Sequence, residues 1–213
     1  MGAHRRAAEA DVAALRKLLD GGKPDRRAGG TIKGLAVMVA AHGQEIRDAE
    51  LVVRAVAVAE AAAKKDWATA DTLARALTLA PGGDVFPKRE LHTEAQLSLE
   101  DMMSPFRTAK VGGLNVEQDL KAAMRAGQMA PRDAELLGTR VVVIADLTAQ
   151  FPPKDPKERG QRLQLQGWEK NVQTMRDVAR QLAVEGTKGN GQVGLLLKRL
   201  DASCVNCHND FRD

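Results

Sequence analysis

From residue 193 to the end of the chain one apolar seam runs without a gap. Val193, Leu196, Leu197, Leu200, Cys204, Cys207 and Phe211 follow one another at steps of one, three or four. That spacing rolls all seven side chains onto one face of an α-helix. Two of the seven are the chain's only cysteines. Any fold this sequence adopts must therefore close around a helix that carries two thiols, one turn apart, on its inward face.

The thiols belong to the run Cys204-Val205-Asn206-Cys207-His208. A Cys-x-x-Cys-His pentapeptide is the arrangement that c-type haem attachment uses. Each thiol can add across a vinyl group, and the adjacent imidazole can bind iron from the proximal side. The alternative is a thiol or metal role. With two cysteines in all, there is no second pair to complete a four-thiolate zinc site. A redox dithiol of the thioredoxin kind wants a βαβ setting, which the pattern lacks. A disulfide closing so short a loop would add little stability. A surface pentapeptide arising by chance has no reason to continue the seam of its own helix.

The rest of the chain predicts an all-α protein. It is rich in alanine and leucine, has no tyrosine and is only 3% aromatic, which disfavours a β-sandwich or barrel. Val12, Leu15 and Leu19 predict a helix over residues 9–20. Thr31 reads as the N-cap of a short helix reaching His42, with Ile32, Leu35, Met38 and Val39 inside. Leu51, Val52, Val56 and Ala59 predict a helix over 45–65, and Asp66 caps another from Trp67 to Leu79. Pro81–Lys88, with two prolines and two glycines, is the best linker. Beyond it Leu99, Met102, Met103 and Phe106 predict a helix over 94–111, and Val116, Leu120 and Met124 a shorter one. Leu137, Val141, Ile144, Leu147 and Phe151 line a helix over 132–151, which Pro152, Pro153 and Pro156 end. Leu165, Trp168, Val172, Met175, Ala179 and Leu182 stripe a long helix over 158–184. A turn over 186–191 then leads into the cysteine helix.

The expected division is residues 1–88, a smaller helical domain without haem, and residues 89–213, a four-helix bundle. An internal echo makes the first a degenerate duplicate of the second. Gly29-Gly30 precedes Arg47-Asp48-Ala49-Glu50-Leu51, and Gly112-Gly113 precedes Arg132-Asp133-Ala134-Glu135-Leu136, at similar intervals.

The terminal motif with Phe211 and Arg212, the preceding helix with Trp168 and a methionine-bearing helix far upstream resemble the class II cytochromes c, the group of cytochrome c′ and cytochrome c-556. The resemblance covers residues 94–213. It implies a C-terminal four-helix bundle with one covalent haem c, Cys204 and Cys207 at the thioether positions and His208 as proximal ligand. It further implies Phe211 and Arg212 beside the ring and a sixth ligand from the first bundle helix, for which the chain offers Met102 and Met103. Phe106, Arg107 and Trp168 complete the implied cofactor site, Arg107 following Met102 by five positions. The break at Gly112-Gly113 and the first ninety residues depart from the family's pattern.

No triad spacing, phosphate loop or paired carboxylates stand out, so no enzyme is expected. The expectation is a monohaem electron carrier, and its rival a five-coordinate protein that binds nitric oxide or carbon monoxide. The formal charge of +4 comes from lysines and arginines scattered among carboxylates, which suits a solvated helical surface or an acidic redox partner rather than nucleic acid. A second copy of the chain, met through helix faces, is the other partner expected. No apolar run reaches the roughly 18 residues of a membrane span. Haem attachment to this motif occurs outside the cytoplasm, so a periplasmic or otherwise extracytoplasmic place is expected, with a leader removed beforehand.

Overall fold

The structure, a computed structural model, describes residues 2–20, 24–25, 27–83, 89–152, 159–188 and 191–211, and only the backbone of 159–164. Among the described residues every regular element is helical and there is no strand. The elements are α1 (Gly2–Leu19), α2 (Gly29–Glu45), α3 (Ala49–Ala63), α4 (Trp67–Arg75), α5 (Leu91–Glu94), α6 (Leu99–Met103), α7 (Val116–Ala126), α8 (Pro131–Thr148), α9 (Arg159–Lys188) and α10 (Val193–Phe211), with single 3₁₀ turns at Ser104–Phe106 and Ala109–Val111. They form two compact units, residues 1–117 and 118–213. No described helix is long and apolar enough to cross a membrane.

In the first unit α2 is the central helix, packed by α1, α3 and α6. Its run Leu35-Ala36-Val37-Met38-Val39-Ala40 is buried at every position, as a helix apolar all round must be. Its N-cap is Ala28, which gives no side-chain hydrogen bond. The expected cap Thr31 lies instead inside the helix and is buried. The single helix expected over 45–65 begins only at Ala49, because Arg47 takes a left-handed φ of 59° and Asp48 caps α3. One Asp48 oxygen accepts the Leu51 N–H at 3.0 Å and the other the Ala80 N–H at 2.6 Å. Asp66 caps α4 as expected, accepting the Thr69 N–H at 3.1 Å. At the other end of α4, Arg16 of α1 donates to the carbonyls of Ala74, Arg75 and Leu77, where helix termination leaves carbonyls short of backbone donors.

The helix expected over 94–111 is not continuous. Ser98 and Asp101 form a reciprocal capping box that starts α6, and Pro105, which has no N–H to continue the ladder, turns it into 3₁₀ geometry after five residues. Both signals lie in the sequence and are stronger than the apolar spacing that argued for a long helix. α6 crosses α2 at Gly34, where a Cβ would collide with the Asp101 carbonyl, and Lys33 pairs with Asp101 at 2.9 Å. Residues 91–111 therefore cluster with the first unit, and the boundary falls at 117/118 rather than 88/89.

In the second unit α8 and α9 make the most extensive helix pair of the chain, and α10 packs on α9. Gly138 allows the close α8–α9 approach: a Cβ there would stand 2.5 Å from the Ala183 nitrogen. Gly186, expected in a turn, sits inside α9, and a Cβ on it would stand 2.6 Å from the Glu135 nitrogen. An Arg176–Asp146 ion pair also joins the two helices. Pro131 opens α8 at a position where its missing N–H costs nothing.

The two halves of the sequence echo differ locally. Asp48 caps a helix after a left-handed residue, whereas Asp133 lies within the first turn of α8. Residues 84–88 of the expected linker, Pro153, Pro156 and Glu158, and Gly189 and Asn190 of the expected turn, lie outside the described residues.

Candidate functional site

The seam predicted for α10 is buried at Val193, Leu196, Leu197 and Leu200. It then opens: Cys204, Cys207 and Phe211 are half-buried and His208 is exposed. Ser203, which sequence spacing did not single out, is buried and donates to the Leu200 carbonyl at 2.7 Å. The thiols thus lie where the helix passes from core to surface, accessible yet on the inward stripe. Neither forms a disulfide.

α9 supplies the wall opposite. Trp168, Val172, Met175, Val178, Ala179 and Leu182 are buried along it. Trp168 meets Phe211 edge to face, ring centroids 5.2 Å apart at 89°, the geometry that aromatic quadrupoles favour. The Phe211 ring also lies against Gly167, its Cζ 3.4 Å from where a Cβ would stand. Asn171 Nδ2 donates to Asp210 Oδ2 at 2.9 Å, and Arg199 donates to Gln181 Oε1 at 3.3 Å. These two ties set α9 and α10 antiparallel, with both cysteines between them. The Trp168 indole N–H is buried and has no hydrogen-bond partner among the described residues, which is costly for a polar group unless something satisfies it.

Burial, and after it the Asp210 carboxylate, push the Cys207 thiol above its ordinary range. A redox dithiol or a zinc ligand needs the opposite shift, toward thiolate. Among the described residues no three His, Cys, Asp or Glu side chains gather to hold a metal ion. His208 lies in the last turn of α10, where a helix favours positive charge.

Of the residues singled out in the sequence, Cys204, Cys207, His208, Trp168 and Phe211 belong to the second unit, and α9 and α10 bring them to one end of their packing. Arg212 lies outside the described residues. Met102, Met103, Phe106 and Arg107 belong to the first unit. Met102 is fully buried on α6, which packs on α2. Met103 and Phe106 are half-buried, and exposed Arg107 pairs with Glu100 at 3.0 Å. The methionines are thus not carried by a long first helix of the C-terminal unit. His42, in the last turn of α2, is buried, 3.4 Å from Asp11 and 3.0 Å from His4 Nδ1.

Sequence reading missed Asn171 and Asp210, because no local pattern pairs them across 39 positions. Compared with known proteins, the chain matches no protein-family model, no curated protein and no solved structure.

Proposed function

We propose that the chain is a monohaem c-type cytochrome, with haem c joined by thioethers to Cys204 and Cys207 and His208 as proximal ligand, carrying electrons outside the cytoplasm. The observation that carries this reading is that both thiols of a Cys-x-x-Cys-His run continue the buried seam of α10 while staying half-exposed. The residues present fit the group. The thiols form no disulfide, Trp168 of α9 meets Phe211, one turn beyond Cys207, and a buried indole N–H stands ready for an acceptor. When bound, the haem supplies one-electron iron chemistry. The chain's own part is to fix the ring by two bonds, present an imidazole to one axial position and exclude water along Trp168 and Phe211.

In this reading α7 to α10 form a class II type of four-helix bundle, and residues from the first unit offer a docking surface to a redox protein or a second copy. The proposed sixth ligand is a methionine; the candidates the sequence offers, Met102 and Met103, belong with Phe106 and Arg107 to the first unit.

A second reading, a five-coordinate haem that takes up nitric oxide or carbon monoxide, is favoured by one observation. Met102 has no exposed surface on α6, so its thioether is already engaged in packing. Absorption spectra of the matured protein, oxidised, reduced and with carbon monoxide, test both readings. Low-spin bands unaffected by carbon monoxide support methionine ligation, a five-coordinate spectrum that responds to it supports gas binding, and the absence of a haem spectrum sinks both.

A further inference from the structure

Trp168, where α9 meets Phe211 of the cysteine helix, carries a polar atom left unsatisfied. The residue is 5% exposed and its Nε1–H has no partner among the described residues. An unsatisfied buried donor forfeits its hydration with nothing in return. Trp168 is also not placed at random in the core. Its ring contacts Phe211 edge to face, and Phe211 lies one turn beyond Cys207 on the same stripe of α10. The Asn171–Asp210 bond holds that contact in register. A phenylalanine or leucine would fill an apolar wall without the N–H, so the indole calls for an acceptor.

We propose that Trp168 is a positioning residue that donates its Nε1–H to a propionate carboxylate of the haem attached at Cys204 and Cys207. The inference rests on the haem reading above. The propionates are the strong hydrogen-bond acceptors of a haem, and a hydrogen bond to a charged acceptor is among the stronger ones a protein makes. The bond orients the ring about its two thioethers, which by themselves fix one edge only. Trp168 therefore sets how the haem plane lies against α9.

The test uses the matured ferrous protein, which is diamagnetic as it stands with methionine as sixth ligand and becomes so on binding carbon monoxide if the iron is five-coordinate. The chain has two tryptophans, and Trp67→Phe leaves Trp168 as the single indole signal. A nuclear Overhauser contact between that indole N–H and the methylene protons of a propionate is the expected result, and its absence overturns the proposal while the haem stays bound. Resonance Raman spectra give the second measurement. Trp168→Phe shifts the propionate bending band and Trp67→Phe does not; a band unmoved in a haem-loaded Trp168→Phe protein overturns the role of Trp168 alone. Matured protein with the mass of the bare polypeptide overturns the haem reading and this proposal with it.

Discussion

Asn171 Nδ2 donates to Asp210 Oδ2 at 2.9 Å, tying the middle of α9 to the last turn of α10. The bond is solvent-exposed, so its contribution to global stability is at most about 1 kcal/mol. Its local effect is larger, because among the described residues it is the side-chain hydrogen bond nearest the end of a helix that would otherwise fray. Asn171→Ala should therefore speed amide hydrogen exchange at residues 207–211 while leaving Leu196–Leu200 unchanged. Uniform acceleration along α10 would mean that the bond does not hold the terminus in particular.

The two cysteines make separable contributions to the proposed attachment. With Cys204→Ala or Cys207→Ala, one thioether remains and the pigment should survive acid extraction into organic solvent, with its reduced absorption band displaced. With both replaced, the pigment should be extracted completely. Should the double variant keep an inextractable chromophore, the thiols are not its anchors.

Asp48 offers one carboxylate to two separate stretches of backbone, the start of α3 at Leu51 and the chain beyond α4 at Ala80. Loss of an N-cap costs about 1 kcal/mol, and stranding a second, half-buried N–H adds about as much again. Asp48→Ala should lower unfolding free energy by about 2 kcal/mol in urea. Asp48→Asn, which keeps one acceptor oxygen, should recover part of that.

Much of this was legible in the residues. The α10 seam, the Trp168 stripe and the Asp66 cap depend on local spacing and local capping, and a helix imposes both within a turn or two. What spacing could not settle was which of two overlapping local signals prevails. Around Ser98 and Pro105 the capping box and the missing N–H cut short a stretch whose apolar pattern suited a long helix. At Arg47 a left-handed residue delayed the start of another. The unit boundary depended on contacts distant in sequence, above all the passage of α6 over Gly34, and the Asn171–Asp210 tie has no local signature at all.

Gly138 tests whether the α8–α9 interface depends on close backbone approach. A side chain there meets the nitrogen of Ala183 and the carbonyl of Ala179, which are backbone atoms of a long helix and cannot rotate aside. Helix propensity alone would make Gly138→Ala stabilising by about 1 kcal/mol. Overpacking opposes it with about 1–3 kcal/mol. The net outcome expected is destabilisation, growing from Gly138→Ala to Gly138→Val, seen as a falling urea midpoint. A rise in the midpoint for Gly138→Ala would show that the helices can separate at little cost.

Asp66 gives a prediction in pH. Hydrogen bonds from the Thr69 side chain and then from its backbone N–H hold the Asp66 carboxyl below its ordinary 3.8, outweighing a slight effect of burial. A carboxyl whose folded pKa is depressed binds its proton more readily in the unfolded chain, so its contribution is complete above the unfolded value and is lost as pH falls through the folded one. The melting temperature of Asp66→Ala should therefore trail that of the wild type by a constant margin from neutral pH down to about pH 5. Below 3.8 the margin should narrow as the wild-type carboxylate takes up its proton. Asp66→Asn caps without a charge, so it should follow the wild type closely at neutral pH and overtake it in acid. A margin for Asp66→Ala that stays constant throughout the acid range would show that the charge of Asp66 plays no part in holding α4.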